Sequence, residues 1–477
     1  MTDPHASSHP HVRVVVLNFD GGQMTLDCID SLLATDWPVD RLEIVVVDNG
    51  SLDHVAERLT TSDRYRSVRV LEPLANLGFA AGCNLGMMLP GDHEFVALVN
   101  NDATVEPGWL WALVDTMAES DDIGAVNAKL LFAERYHGIE FAVSPVTHIA
   151  FGETRWLGVR VSGVRLDGER VDDRLAFDEH FYLAEAPVEE AGEEIARWST
   201  GRGALRIAAN GGAPRKLAVR LSCPEQRVVQ LRSDVEERTV AIGAEPEWVE
   251  IALPPEPFDV INNVGSNLYR DGYGGDRGFL EVDRGQFDAP ADVFAWCGGA
   301  VLLRRAYLDD VGLFDPRFFL YYEDTDLSWR GRLRGWRYRY APGAVVRHRH
   351  GASAGAGSPV FNHYTERNRL LTLAKNAPAP LAWRAGLGEL RRLVRSFLAN
   401  FVRRPLTGRF PDRVAFDHRW AVAASSAASL PSMLAQRWSG DNTVGRKALM
   451  AWEVDKWDVD VSEPEHVRLE ELRGTHE

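Results

Sequence analysis

Cysteine is scarce, with four in 477 residues, at positions 28, 83, 223 and 297. They lie far apart, with neither a C-x-x-C spacing nor a paired-histidine pattern. That excludes a zinc framework and a disulfide scaffold and fits a reducing compartment. Long hydrophobic runs are missing as well: nowhere do about 18 consecutive apolar residues occur, so no membrane-spanning helix is expected. Residues 1–11 are polar, lack the apolar core of an export signal and read as a disordered tail. A cytoplasmic location is the expectation. Positive charge is in deficit, 53 Lys and Arg against 69 Asp and Glu for a net charge of -16, which argues against nucleic acid as a partner.

What remains is an ordinary globular composition, 45% hydrophobic and 26% charged. The length implies two or three folding units. Residues 12–19 (VRVVVLNF) form a β-branched run that ends in a turn, and Leu26, Ile29, Leu32 and Leu33 then recur at helical spacing. LEIVVVDNGS at 42–51 and EFVALVNND at 94–102 repeat the strand pattern, with helices between. Continuous apolar strands alternating with helices predict a parallel sheet buried on both faces. Ligands of such sheets bind beyond the strand carboxyl ends, where Asn18, Asp48, Asn100, Asn101 and Asp102 collect.

Between about residues 133 and 257 helical periodicity fades. Segments such as ALRIAANG, KLAVRLSC and WVEIAL alternate apolar and polar residues and predict a small antiparallel β-sandwich inserted in the α/β unit. Its aromatics Trp156, Phe181, Tyr182, Trp198 and Trp248 suit either sugar stacking or a core. The α/β pattern resumes at 258. Residues 378–477 then read as helical: Trp383, Leu387, Leu390, Val394, Phe397 and Phe401 follow one another at spacings of 4, 3, 4, 3 and 4, flanked by Arg384, Arg391, Arg392, Arg395, Arg403 and Arg404. Such a face can lie on an anionic membrane surface, or pack against the rest of the chain or a second subunit.

Two constellations carry chemistry. In VNNDATVEP, Asp102 with Asn100 beside it is an adequate scaffold for a divalent cation whose shell a substrate phosphate completes. In FFLYYEDTDLSWR, Glu323, Asp324 and Asp326 precede a helix. Capping that helix accounts for at least one of them, leaving two for acid-base work. Downstream, His348 is the expected metal or phosphate ligand, with His350 in reserve. Arg367 and Arg369, in YTERNRLL, suit either a diphosphate clamp or surface ion pairs.

These motifs, together with NLGFAAGCNLG, FAWCGGAVLLRR and GLFDPRFF, resemble glycosyltransferase family 2, in its rhamnosyltransferase-like and galactofuranosyltransferase-like branches. They span most of residues 12–132 and 258–377. The resemblance implies a GT-A fold, here an α/β Rossmann-like mixed sheet with an inserted β-sandwich-like domain and C-terminal helices. It also implies a dTDP- or UDP-linked sugar donor, Mg²⁺ or Mn²⁺, inversion at the anomeric carbon, and a glycan or polyprenyl-linked acceptor met at the inner membrane face. By the same resemblance Asp324 is the general base and Glu323 its partner. Asp102 and His348 hold metal, Asp48 reads the nucleotide, Asn76, Gly78 and Asn84 lie near base and ribose, and Trp296, Gly298 and Gly299 line the acceptor side. The metal triplet departs from the family pattern, reading Asn-Asn-Asp rather than Asp-x-Asp. The insert lies outside the family core, and the Q-x-x-R-W motif of processive members is missing, which favours single addition. A NAD-dependent dehydrogenase is excluded because no G-x-G-x-x-G follows the first strand. A non-catalytic scaffold with a glycan-binding insert is the alternative, and it has no need for Asp102, Asp324 and His348 together.

Overall fold

The computed structural model describes residues 9–150, 153–171, 174–178, 180–182, 194–349, 358–406, 410 and 413–455. They divide into two compact units, one made of residues up to Ala133 together with Ile261–Asp455, the other containing Glu134–Val260.

In the first unit the apolar runs become the strands β1 (Val12–Asn18), β2 (Leu42–Asp48), β3 (Val68–Leu71) and β4 (Phe95–Val99), all parallel, in the order β3-β2-β1-β4. Val12, Val14 and Val16 enter one core while Val15 enters the other, so side-chain alternation buries both faces. The helices α1 (Gln23–Leu33), α2 (Val55–Thr61) and α3 (Gly78–Met87) connect them, and α4 (Trp109–Met117) follows β4. In α3, Gly82 and Gly86 sit where a Cβ would enter the side chains of Leu17 and Val15. These glycines therefore serve close packing of helix on strand.

The sheet departs from the all-parallel expectation beyond β4. There the strand Ala300–Arg304 runs antiparallel between β4 and Ile123–Phe132, which in turn pairs in parallel with Arg337–His348. Chain from the far side of the insert is thus laid into the middle of the sheet, giving a mixed sheet of ten strands. The expected N-terminal tail is shorter than the sequence reading: the His9 ring packs edge-on against Trp37 and Trp111.

Beyond the sheet, α6 (Glu323–Leu333) follows the short α5 (Arg305–Val311). It is tied to α7 (Pro359–Asn376) by a buried ion pair, Lys375 to Asp326 at 2.8 Å. A long helix, Arg413–Ser439, covers α7, and α8 (Ala379–Phe397) inserts Leu381 and Ala385 beside it.

The second unit is the sandwich. Two five-stranded antiparallel sheets, one centred on Arg160–Leu166 and Lys216–Ser222, the other on Tyr136–Val143 and Arg202–Ala208, enclose a core. Leu205, Ile207, Val219 and Leu221 fill it at 0% exposure. Phe181 belongs to this core, whereas Trp248 is exposed beneath the Arg165 guanidinium at 4.7 Å. Residues 184–194, an acidic stretch with Pro and Gly whose composition suits a surface loop, lie mostly outside the described residues. Cys28, Cys83, Cys223 and Cys297 are all free thiols.

Candidate active site

The donor rim is built at the ends of β1, β2 and β4. Asn18 is fully buried and joins all three: its amide donates to Ser51 Oγ (3.1 Å) and the Asp53 carboxylate (3.2 Å), while its carbonyl accepts from Thr25 Oγ1 (2.7 Å) and Asn101 Nδ2 (3.3 Å). Asp48 Oδ1 caps the following turn through Ser51 N–H (3.3 Å). One residue later, Asn49 reaches across to the Gly-rich loop, donating to Asn76 Oδ1 (2.9 Å) and accepting from Leu77 N–H (2.9 Å). Asn76 is itself exposed and caps Gly78 N–H at 2.8 Å. Gly78 takes φ +80°, and a Cβ there would collide with Phe319. Phe319 O accepts from Phe79 N–H at 2.6 Å, which couples this loop to the segment before Glu323.

Next along the rim, Asp102 and His348 meet, with Oδ1 and Nε2 3.0 Å apart and both residues about nine-tenths buried. His348 Nδ1 lies 2.8 Å from Asn262 Oδ1, which orients the ring so that Nε2 faces Asp102. Asp102 Oδ1 has no hydrogen-bond donor aligned on it. A cation between the imidazole nitrogen and the carboxylate oxygen would engage both, and this donor pair suits Mg²⁺ or Mn²⁺. Asn100 approaches Nε2 at 3.3 Å through its amide. Among the described residues no three His, Cys, Asp or Glu groups are placed to hold a metal by themselves, so substrate oxygens would have to complete the shell. His350 lies outside the described residues.

The carboxylate segment is strained. Phe319, Tyr321 and Tyr322 all take positive φ (60°, 66° and 69°) immediately before Glu323, a conformation that costs L-residues energy and persists only where the surroundings enforce it. Asn368 of α7 is the enforcing residue. Fully buried, its amide lies within 2.7–2.9 Å of the carbonyls of Phe318, Leu320 and Tyr321. Asp326 is fully buried and holds Lys375 (2.8 Å), Arg330 (2.9 Å) and Asn376 (2.8 Å). Its role is therefore structural, but through a buried ion pair, with no side-chain cap on α6.

Glu323 and Asp324 are left for chemistry, and their surroundings separate them. Burial and then the neighbouring Asp324 charge raise Glu323 well above the usual carboxylate range, and its Oε2 has no partner. Burial raises Asp324 too, but Gly298 N–H (3.1 Å), Thr325 N–H (2.6 Å) and Thr325 Oγ1 (3.2 Å) stabilise its charged form. Burial thus favours the protonated form of Glu323 more strongly, and the hydrogen bonds make Asp324 the better placed of the two to carry negative charge.

Other sequence-predicted residues fall elsewhere. Trp296 is fully buried core beside Phe314. Asn84 uses its whole amide on the Phe314 backbone (2.9 and 3.2 Å). The Arg367 guanidinium is engaged by Arg317 O and Ser429 Oγ, and Arg369 lies over the Tyr273 ring at 4.1 Å. Gly298 and Gly299 do face the site, the first through Asp324 and the second by accepting from Asn100 N–H at 3.0 Å.

One chain of residues escaped the sequence reading. Cys297 N–H donates to Asn127 Oδ1 (2.7 Å), Asn127 Nδ2 to Asn263 Oδ1 (3.0 Å), and Asn263 Nδ2 to Asp276 Oδ1 (2.5 Å). Burial pushes Asp276 up to about 6, opposed by the Asn263 hydrogen bond, with Asp324 among the nearby charges. The sequence sign was polar residues inside two apolar runs, Asn127 and Lys129 in GAVNAKLLF and Asn262 with Asn263 in VINNVG.

The family described as Glycosyl transferase family 2 matches residues 13–137. The chain is 36% identical over 119 residues to an N-acetylglucosaminyl-diphospho-decaprenol L-rhamnosyltransferase of Mycobacterium tuberculosis, an alignment covering 23% of this chain and 39% of that protein. The chain thus spans about two fifths of the length of the curated relatives it matches. Among solved structures, GalNAc-T7 with UDP, GalNAc and Mn²⁺ gives a TM-score of 0.43 at 12% identity, over 77% of this chain and 48% of that one. The mannosyltransferase PcManGT of Pyrobaculum calidifontis, in complex with GDP-Man and Mn²⁺, gives 0.38 at 13%, over 89% and 88%. Both likenesses are distant.

Proposed function

We propose that this chain, whose residues 13–137 are a glycosyltransferase family 2 segment, is an inverting glycosyltransferase that adds a single hexose or deoxyhexose from a nucleoside diphosphate sugar to a lipid-linked or glycan acceptor. The observation that carries the reading is that Asp102 and His348 meet at the same rim as Asp324, which holds Gly298 N–H one residue before the Gly299 carbonyl that accepts from Asn100 N–H. In this reading Asp324 accepts the proton of the acceptor hydroxyl. The oxygen then attacks the anomeric carbon from the face opposite the nucleoside diphosphate, and the bond to the leaving diphosphate breaks as the new glycosidic bond forms. Protonated Glu323 adds no second negative charge beside the base. Asp102 and His348 would hold Mg²⁺ or Mn²⁺, which when bound offsets the charge gathering on the departing diphosphate. The Asn18 and Asn49 networks would set the loop ends against which the nucleotide lies.

The rhamnosyl group and diphospho-decaprenol acceptor in the relative's name support a deoxyhexose donor and a polyprenyl diphosphate acceptor; a dTDP or UDP leaving group and an encounter at the inner membrane face belong to the same proposal. Calorimetric titration with UDP and dTDP, in Mn²⁺ and again in EDTA, tests the donor class: one nucleotide should bind with metal and lose most of its affinity without it. Asp324→Asn should lower transfer by roughly 10²–10⁴-fold while nucleotide binding persists. Full transfer by that variant would remove Asp324 from the base role.

A further inference from the structure

The helix α8 is oriented against its own pattern. Its apolar stripe faces outward: Trp383 is 71% exposed, Leu390 55%, and Leu387, Val394 and Phe397 each close to one half. The opposite face, carrying Leu381, Ala385 and Glu389, is the buried one. Beyond the helix end the exposed surface continues through Val402, Leu406 (81%) and Phe410 (91%). A helix packed by hydrophobicity alone would be turned the other way. Phe397 meets Phe401 and Phe416 at the edge of the stripe, with ring centroids 5.3 and 6.0 Å apart, while Trp383, Leu387, Leu390 and Val394 stay about half exposed or more, and exposed apolar patches of this kind mark interaction sites.

Charge identifies the partner. Residues 379–411 contain seven arginines and one acidic residue, in a chain whose net charge is -16. The one acid, Glu389, is turned inward and engaged by Arg392 and Arg419. Arg384, Arg391, Arg395 and Arg403 are exposed alongside the apolar stripe. Two copies meeting through this face would oppose like charges. An anionic bilayer surface matches both features, accepting the apolar face at the acyl boundary and the arginines among its headgroups. Trp383 is an amphipathic ring of the type that settles at that boundary. No described helix is long and apolar enough to cross a membrane. We propose that α8 and residues 398–406 form a docking surface for an anionic lipid bilayer, lying in the membrane plane. This inference is separate from the chemistry proposed above, since a transferase acting on a soluble acceptor has no use for such a surface and a bilayer-bound protein need not be a transferase.

The test is co-sedimentation of the full chain with vesicles of phosphatidylcholine alone and of phosphatidylcholine mixed with phosphatidylglycerol. The protein should pellet with the mixed vesicles only, and rising salt should release it. Arg384→Gln, Arg391→Gln and Arg395→Gln together should lower partitioning about a hundredfold, at roughly a fivefold change per arginine. Trp383→Ser with Phe397→Ser should abolish it, while UDP or dTDP affinity stays at the parent level in both variants. These are exposed positions, so folding should survive, and circular dichroism checks that. Absence of parent binding to anionic vesicles overturns the proposal. So does an equal affinity for both vesicle types, or a dimer that Trp383→Ser dissolves.

Discussion

The donor rim and the carboxylate segment hold their functional atoms by different means. At the donor rim, Asn18, Asn49 and Asn101 sit at strand ends, and mostly neutral amide and hydroxyl groups from neighbouring strands and turns satisfy one another. Each such bond contributes only about 1 kcal/mol net, and the geometry follows from the parallel sheet. The carboxylate segment follows from no regular element. The segment with three positive-φ residues is pinned by Asn368 through the carbonyls of Phe318, Leu320 and Tyr321, and α6 is fastened to α7 by the buried Asp326–Lys375 pair. Strain and buried charge make this side the more expensive to disturb. A regular scaffold can therefore place a nucleotide with weak bonds, whereas a base poised beside a protonated carboxyl needs strong, long-range fastening.

The largest break in that comparison is Asp326→Ala. It leaves the Lys375 ammonium buried, at 3.2 Å from Asp315 alone, and loss of one partner from a buried pair costs about 3–5 kcal/mol. Chemical denaturation should show a fall of that size. Sugar transfer should drop further than nucleotide affinity, because α6 carries Asp324. Asn18→Ala, its counterpart at the donor rim, should cost about 2 kcal/mol and act in the opposite sense, weakening nucleotide binding first. Equal losses in both variants would erase the distinction between the two sides.

A middle-sized effect belongs to Asn368→Ala. Three carbonyls lose an amide that only asparagine or glutamine can supply, and the strained segment should relax, at a cost of about 1–3 kcal/mol. The expected signature is a lower kcat at nearly constant donor KM, since the Asn18 and Asn49 bonds are untouched. A change confined to KM would mean that the loop serves the donor instead.

The same contrast explains what the sequence makes legible. The α/β class, the sandwich alternation and the strand-end cluster of Asn18, Asp48 and Asp102 all depend on local periodicity and run ends, which one chain displays. Asn368 acts on carbonyls 47 to 50 positions away, and Asn127 bonds to Asn263 across 136. Neither has a local signature. The antiparallel Ala300–Arg304 was hidden for a related reason, since an apolar strand buried on both faces reads alike in either direction. The α8 stripe shows the limit of periodicity from another side: spacing defines a face but not what that face meets.

The smallest expected effect lies away from both rims, at His93. Its Nε2 is 3.0 Å from the Arg305 guanidinium, and burial, with Arg13 and Arg305 adding to it, pushes its pKa down to about 4. Protonation would set a third cation beside the buried Arg13 and the half-buried Arg305, so the folded chain binds that proton less readily than the unfolded one. Stability from this group is complete above the ordinary value near 6.5 and is lost as pH falls towards 4. Because other carboxylates titrate in the same window, the informative quantity is a difference. The melting temperature of the parent should fall more steeply between pH 7 and about 4.5 than that of His93→Gln. Glutamine keeps an acceptor for Arg305 without a titrating proton, so parallel curves would show that the cost of charging His93 is relieved by local opening rather than carried by the fold.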